Sequence, residues 1–193
     1  MGTRGLIAVM KNSEYKVAQY NQWDSDPSGN GIKILKFLKT HSINKFSEQL
    51  EKLYWLSEDE IYAVDNTKNW TALYPHLSRD CGTDILKIIQ DNKDRLGLIS
   101  QIDFAMDSIF CEWAYVIDLD KMTFEVFEGF NRDTLTPMDR FAPNGPYKKN
   151  DLYGGSTMEE TAYKPVKLVK WYPLAQLPTQ KQFLDDCVPK EHE

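Results

Sequence analysis

Alternating apolar and polar residues in two parts of the chain predict two β-hairpins. The first joins residues 5–10 to residues 15–21 through a polar turn at 11–14, and the second joins 111–117 to 122–128 through a turn at 118–121. In the second hairpin the returning strand alternates, whereas the outgoing strand is apolar on both sides. We therefore expect 111–117 to be a central strand covered on both faces.

Between the hairpins the apolar period changes from two to about 3.6, which predicts helices. Ile32, Leu35 and Leu38 mark the first. Ser42 is expected to cap a second, whose apolar side runs from residue 43 to Leu53. Thr83 is expected to cap a third, with its apolar side at 85–89 and its end at 91–92.

After the second hairpin, residues 134–157 are rich in Pro, Gly, Asn and Asp, which predicts a long surface loop. Residues 166–171 favour a further strand, and Pro178-Thr179 favours the start of a last short helix. The order of elements predicts an α+β fold in one domain, 1–193. Its antiparallel or mixed sheet is built on the two hairpins, with helices packed against it.

Composition and charge narrow the possible partners. The formal net charge is −6 and the pI is near 5.2, and no lysine or arginine cluster is present, so nucleic acid is not expected as a partner. No apolar run is long enough to span a bilayer and the N-terminus does not resemble a signal peptide, so we expect a cytoplasmic protein without a membrane partner. The oligomeric state is left open.

The segment 19–31 concentrates amides, carboxylates, aromatic rings and glycines at the end of a predicted strand. It offers hydrogen-bonding groups, stacking surfaces and free backbone N–H groups at a helix start, which favours a small-ligand site. In the alternative interpretation the segment is scaffold, with Ser28 or Asn30 capping the helix and Trp23 in the core. The expected ligand-binding residues are Arg4, Gln19, Tyr20, Asn21, Gln22, Trp23, Asp24 and Ser28.

The chemistry of this segment limits the ligand. Asp24 and Asp26 oppose an exposed phosphate, so a nucleoside-like or cationic ligand fits better than inorganic phosphate. The Lys and Ser/Thr of a P-loop are missing. Nearby along the chain, Ser78-Arg79-Asp80 is a compact polar group in which Arg79, like Arg4, can face an anion.

Other catalytic groups find little support. The three histidines are isolated and no Cys-x-x-Cys pair occurs, so no zinc site and no cofactor are expected. The three cysteines are predicted to be reduced, and Cys111 to lie in the core, although a Cys-His dyad stays open. Asp118-x-Asp120 suits either a divalent cation or, preferably, a solvated hairpin turn.

Several motifs together resemble a family of uncharacterised proteins from bacteriophages, prophages and bacteria, with fungal relatives. The motifs are the MGTRG start, AQYNQWD at 18–24, PSGNG at 27–31 and CEWAYVIDLD at 111–120. The resemblance covers most of the chain. It implies a phage-type accessory protein, for which countering a bacterial defence is one role, and it implies no established activity.

A second resemblance is to N-terminal nucleophile hydrolases of the bile-salt hydrolase and penicillin acylase kind. These also begin with two strands that lead into a polar segment like Asn21-Gln22-Trp23-Asp24. The resemblance implies an αββα fold as an alternative. The chemistry needs Cys, Ser or Thr as first residue, whereas removal of Met1 exposes Gly2, so Thr3 would need further trimming.

Three functions follow from these observations. The first is a non-enzymatic accessory protein that binds a small polar, nucleotide-derived ligand beside the first hairpin. The second is an amide hydrolase that uses the neighbourhood of Thr3, Arg4, Asn21 and Asp24. The third is an inhibitor that contacts another protein through the loop 134–157, anchored by Phe141, Tyr147 and Tyr153.

Overall fold

The computed structural model describes residues 2–142 and 163–188, which form the expected α+β fold. Five strands make a mixed sheet in the order β2-β1-β5-β6-β7, and two short parallel strands, β3 and β4, pair separately. The strands are β1 (Gly5–Lys11), β2 (Glu14–Asn21), β3 (Leu53–Trp55), β4 (Leu96–Leu98), β5 (Trp113–Asp118), β6 (Thr123–Glu128) and β7 (Lys167–Pro173).

Both predicted hairpins are confirmed. β1 pairs antiparallel with β2, and β5 pairs antiparallel with β6. The two hairpins join through a parallel pairing of β1 with β5, from Gly5 opposite Trp113 to Met10 opposite Asp118. β5 is therefore the central strand, as its apolar sequence indicates, and β7 extends the sheet beside β6.

All four predicted helices are present, with two corrections to their details. Ser42 caps α2 by accepting from the Lys45 N–H, and Thr179 caps α6 in a reciprocal capping box with Gln182. Thr83 makes no side-chain cap, and Leu53 belongs to β3 instead of the second helix. The helices are α1 (Ile32–Thr40), α2 (Ile43–Leu50), α3 (Glu58–Asp65), α4 (Trp70–Leu73), α5 (Asp84–Asp91) and α6 (Gln180–Cys187).

The sheet is buried on both faces, because alternate residues of each strand enter two separate apolar cores. One core lies between the sheet and the helices, where α1, α2, α5 and α6 cover residues of β1, β2, β5 and β6 such as Ile7, Val17, Tyr115 and Phe124. The other contains Leu6, Ala18, Ala114, Val116 and Phe127, covered by the 3₁₀ helix Ile102–Met106 and by Phe141 and Val166.

These layers differ from the αββα alternative. Leu98 of β4 belongs to the core on the helical side of the large sheet, and Leu53 and Leu96 pack against that core. In the described ranges, the opposite face is covered by a short helix and irregular segments. The part of the chain that the structure describes therefore does not pair two sheets face to face. Within the same ranges, no helix has the length and apolarity needed to cross a bilayer.

Of the predicted loop 134–157, residues 134–142 are described and contain no helix or strand. Arg140, Phe141 and Ala142 are buried, and the Phe141 ring meets the Phe127 ring edge-on at 5.0 Å between centroids. Phe141 is therefore part of the core and does not anchor a partner. Tyr147 and Tyr153 lie outside the described residues.

Arg140 fixes the end of this segment to the sheet through a buried charge cluster. Its Nε and Nη2 donate to the two carboxylate oxygens of Glu125 at 2.7 and 2.8 Å, and Nη2 also donates to Asp118 Oδ2 at 2.5 Å. The three side chains are no more than 10% exposed. Burial raises the pKa of Asp118, but the hydrogen bonds from Arg140 and from the Lys121 and Asp120 amides outweigh it, so the pKa lies below the ordinary carboxyl value.

The Asp118-x-Asp120 motif is a structural device in the described part of the chain. Asp118 Oδ1 accepts from the amides of Asp120 and Lys121 inside its own turn. The two oxygens of Asp120 accept from the amides of Asn12 and Ser13, at 2.8 and 2.7 Å, in the turn of the other hairpin. Asn12 and Ser13 both have positive φ, so Asp120 stabilises a turn of unusual backbone conformation. The preferred interpretation, a solvated hairpin turn, is confirmed for the turn and for the exposed Asp120, but it is wrong for Asp118, which is buried against Arg140.

Replacing Arg140 tests the importance of the buried cluster. Arg140→Met should lower the free energy of unfolding by about 3–5 kcal/mol at pH 7, because it leaves two buried carboxylates without their partner. The pKa of Asp118 is depressed in the folded state, so its stabilising contribution is complete above the unfolded value near 4 and is lost as pH falls below it. Urea denaturation should therefore show the difference between wild type and variant shrinking from pH 7 to pH 3.

Candidate functional site

Two strand ends bring three of the predicted residues to one face of the sheet. Gly5 pairs with Asn21 and Leu6 with Tyr20, so the same register carries Arg4 opposite Gln22. Side chains alternate along a strand, so Arg4, Tyr20 and Gln22 share the face of Leu6. The Tyr20 hydroxyl donates to Gln22 Oε1, and the Tyr20 ring meets Phe104 edge-on at 4.9 Å between centroids.

Arg4, on the same face as Tyr20 and Gln22, is held in place by two contacts. Its guanidinium carbon lies 4.8 Å from the centre of the exposed Phe110 ring, and its Nε lies 3.7 Å from Glu112 Oε1. The side chains of Arg4 and Glu112 are 31% and 24% exposed, so this is a partly solvated ion pair of small energy. The guanidinium is oriented and still accessible.

Trp23 lies two residues after the end of β2 and is fixed although it is 48% exposed. Its indole Nε1 donates to Asp80 Oδ1 at 2.8 Å. The backbone of Gly2 lies against the ring so closely that a Cβ there would come within 2.0 Å of the Trp23 ring. The indole is therefore an exposed aromatic surface with little rotational freedom, and Trp23 is not a core residue.

Buried amides support the segment from beneath. Asn21 donates through Nδ2 to the Trp23 carbonyl and, at 2.7 Å, to Ser25 Oγ, and Asn30 Nδ2 donates to the Trp23 carbonyl at 3.1 Å. The hydroxyl of Tyr115, in the core, donates to the Ser25 carbonyl at 2.7 Å. Asn21 and Asn30 are 2% exposed, so they are scaffold.

Gln19 belongs to the same scaffold. It is 3% exposed, and its Nε2 donates to the Ser78 carbonyl at 3.2 Å. Further along the same segment, the backbone N–H of Gln22 donates to the Arg79 carbonyl at 3.1 Å. The stretch 78–80 is therefore bonded along the edge of β2, which explains how Asp80 reaches the indole.

Asp26 caps the start of the helix, and neither Ser28 nor Asn30 does. The Asp26 Oδ1 atom accepts from the Ser28 and Gly29 amides at 3.0 and 3.1 Å and from Ser28 Oγ at 2.5 Å, at the beginning of the π-helical turn Pro27–Gly31. Asp24 is exposed, has φ of 53°, and accepts from the Asn30 amide through its carbonyl at 2.7 Å. The Asp24 carboxylate is exposed and makes no hydrogen bond within the described residues, whereas the Asp26 carboxylate is bonded to the helix start.

Both signs of charge lie near Tyr20, with the guanidinium groups of Arg4 and Arg79 beside the carboxylates of Glu112 and Asp80. Burial raises the pKa of the Tyr20 phenol, and Arg4 and Arg79 only partly offset this, so the hydroxyl stays protonated and donates to Gln22. Arg79 is exposed and has no carboxylate partner within the described ranges. Asp80, which also lies near, is engaged by the indole.

The predicted site residues thus divide into two groups. The outer group is Arg4, Tyr20 and Gln22, which share one face at the end of the sheet, together with Trp23 and Asp24, which are exposed in the segment that follows; Gln19 and Asn21 point inward, and Ser28 bonds to Asp26. Asp80 and Phe110 belong to the outer group but were not predicted as site residues. The polar group 78–80 was a visible signal, whereas nothing local to Phe110 indicates its contact with Arg4.

The cysteines do not provide a nucleophile. Burial raises the pKa of Cys81 and of Cys187 to about 11 each, and it raises that of Cys111 further still. All three are therefore protonated at neutral pH. Residues 2–142 and 163–188 also contain no group of three metal-ligating side chains.

Comparisons of the chain with family models, curated proteins and solved structures find no match. The resemblances drawn from its motifs therefore stay predictions.

The division between scaffold and outer surface predicts unequal effects of two neighbouring substitutions. Asn21→Leu should lower the free energy of unfolding by about 2–3 kcal/mol, because it removes the hydrogen-bond donor shared by Trp23 and Ser25 at a buried position. Gln22→Leu should change it by less than about 1 kcal/mol. Equal losses in chemical denaturation would contradict the assignment of Gln22 to the outer surface.

Proposed function

We propose that the protein is a non-enzymatic binding protein that takes a small polar, nucleotide-like ligand on the surface formed by Arg4, Tyr20, Gln22, Trp23 and Asp24. The observation that carries the proposal is the state of Trp23, which is half exposed and yet held by Asp80 on one side and by Gly2 on the other. An aromatic ring that is already immobilised loses little entropy when a planar ligand stacks on it.

The polar groups around the indole suit the parts of such a ligand. The side-chain amide of Gln22 and the carboxylate of Asp24 offer hydrogen bonds to sugar hydroxyls or to a base edge. Arg4 and Arg79 offer positive charge to a phosphate. The Asp26 carboxylate is directed at the amides of the helix start, so of the two carboxylates only that of Asp24 is free of hydrogen bonds within the described residues.

The biological role that we propose follows from the motif resemblance together with this surface. A phage or prophage accessory protein that holds a nucleotide-derived molecule, without converting it, would deprive a bacterial defence of that molecule. The raised pKa values of the three thiols count against a cysteine nucleophile. No observation in the described residues favours the hydrolase or the inhibitor over this proposal.

Titration with adenosine, AMP and ADP, and with the matching guanosine compounds, tests the proposal. These probes separate the contributions of base, sugar and phosphate. We expect saturable binding by calorimetry and a change in tryptophan fluorescence, and we expect Trp23→Ala, Gln22→Leu and Asp24→Asn each to weaken binding at least tenfold. The melting temperatures of Gln22→Leu and Asp24→Asn should stay within a few degrees, since about 1 kcal/mol moves the melting temperature of a domain this size by about 2–4 °C.

The matched control is Trp55→Ala, which removes an indole that is 40% exposed on β3, in the small two-stranded sheet. Trp55→Ala should leave binding unchanged. Absence of binding for the whole panel, or an equal loss of affinity in the Trp23 and Trp55 variants, would refute the proposal.

A further inference from the structure

A separate groove lies at the same end of the sheet, where β6 ends and β7 begins. It is bounded by residues 128–133 and by 167–169, and its volume is about 440 Å³. That size is within the range of small-molecule sites. β2 and β6 are separated by two strands, or about 14 Å, so the groove is distinct from the surface around Trp23.

Glu128 contributes an uncompensated carboxylate to the groove. It is half-buried, and within residues 2–142 and 163–188 it makes neither a hydrogen bond nor an ion pair. Its ladder neighbour Lys167 bonds instead to Asp133, at 2.5 Å between Nζ and Oδ2. Burial raises the pKa of Glu128 with no charged neighbour to oppose the shift. A partly desolvated carboxylate without a partner is costly, so its retention favours a bound cation.

Phe130 presents an exposed ring at a strained backbone position. Its φ is 50°, which is rare for a bulky residue, and its side chain is 54% exposed. The conformation is imposed by two backbone hydrogen bonds, from the Gly129 amide to the Glu112 carbonyl at 2.8 Å and from the Phe130 amide to the Ser108 carbonyl at 2.7 Å. The half-exposed ring meets the Tyr163 ring edge-on at 6.3 Å between centroids, and strain that fixes an exposed aromatic ring in a groove is a feature of ligand sites.

Arg132 supplies the opposite charge. Its Nη2 donates to the Tyr163 hydroxyl at 2.9 Å, and its guanidinium carbon lies 5.0 Å from the Tyr163 ring centre. In the described part of the chain Arg132 pairs with no carboxylate, Glu128 included. Among the described residues, the groove therefore holds one carboxylate and one guanidinium that are not paired with each other or with another charged group.

We propose that this groove binds a small zwitterion, with its ammonium group between the Glu128 carboxylate and the Phe130 ring and its anionic group on the Arg132 guanidinium. An ammonium is attracted both by a carboxylate and by the face of an aromatic ring. A guanidinium that is already oriented by stacking binds a carboxylate or phosphate through two parallel hydrogen bonds. A ligand that carries both charges satisfies both groups, whereas a single charge satisfies only one.

A series of ω-amino carboxylates from glycine to 6-aminohexanoate is a suitable probe, since the distance between the two charges varies along it. Hexylamine and hexanoate serve as single-charge controls. Calorimetry and amide chemical shifts should show saturable binding of at least one zwitterion, at least tenfold tighter than either control, with the largest shifts at Glu128, Phe130 and Arg132.

Three substitutions identify the groove. Glu128→Gln and Arg132→Gln should each weaken binding at least tenfold. Phe130→Gly should also weaken it while leaving thermal stability close to that of wild type, because glycine accepts the positive φ without strain. Glu48→Gln, an equivalent change at an exposed position of α2, should have no effect on binding.

Three results would overturn the proposal. They are the absence of saturable binding for every member of the series, binding of hexylamine as tight as that of the zwitterions, and retention of affinity in both charge variants. Because the nucleotide panel acts through Trp23, the Trp23→Ala variant should still bind the zwitterion. A failure at one site is thereby distinguished from a failure at the other.

Discussion

The parallel pairing of β1 with β5 is the interaction on which the rest of the structure depends. Each hairpin alone has two strands, which is too few to bury an apolar face stably in water. Joining them makes a sheet with β5 at its centre, and its two faces then support two separate cores. A parallel pairing needs a long connection, and the helices between the hairpins provide both that connection and the cover for one face.

The same pairing collects the functional groups. β1, β5 and β7 begin at the sheet end where β2 and β6 finish, so residues far apart in sequence become neighbours there. Arg4 reaches Phe110 and Glu112 because the chain before β1 lies beside the chain before β5. The surface around Trp23 and the groove at the junction of β6 and β7 are thus both consequences of strand order, with exposed aromatic rings and guanidinium groups placed on a rigid sheet.

Two buried polar networks each fix an irregular segment to the core. Asn21, Ser25 and Tyr115 tie the segment after β2 to the core, and this bonding leaves Trp23 projecting outward. Arg140, Asp118 and Glu125 do the same for the segment after β6, at the opposite end of β5. Buried polar networks of this kind are stabilising only when every member is satisfied, so both regions should be intolerant of single substitutions.

The sequence by itself determined the two hairpins, the central position of β5, the helix cap at Ser42 and the start of the last helix near Pro178-Thr179, because each depends on a local pattern. It also contains the Ser57-x-x-Glu60 capping box of α3 and the Thr179-x-x-Gln182 capping box of α6. Only the tertiary structure decided that Asn21 points inward, that Asp80 holds Trp23, and that Arg140 is buried between two carboxylates. Those outcomes depend on which strand lies beside which, and a side-chain period of two fixes the faces of a strand without fixing its neighbours.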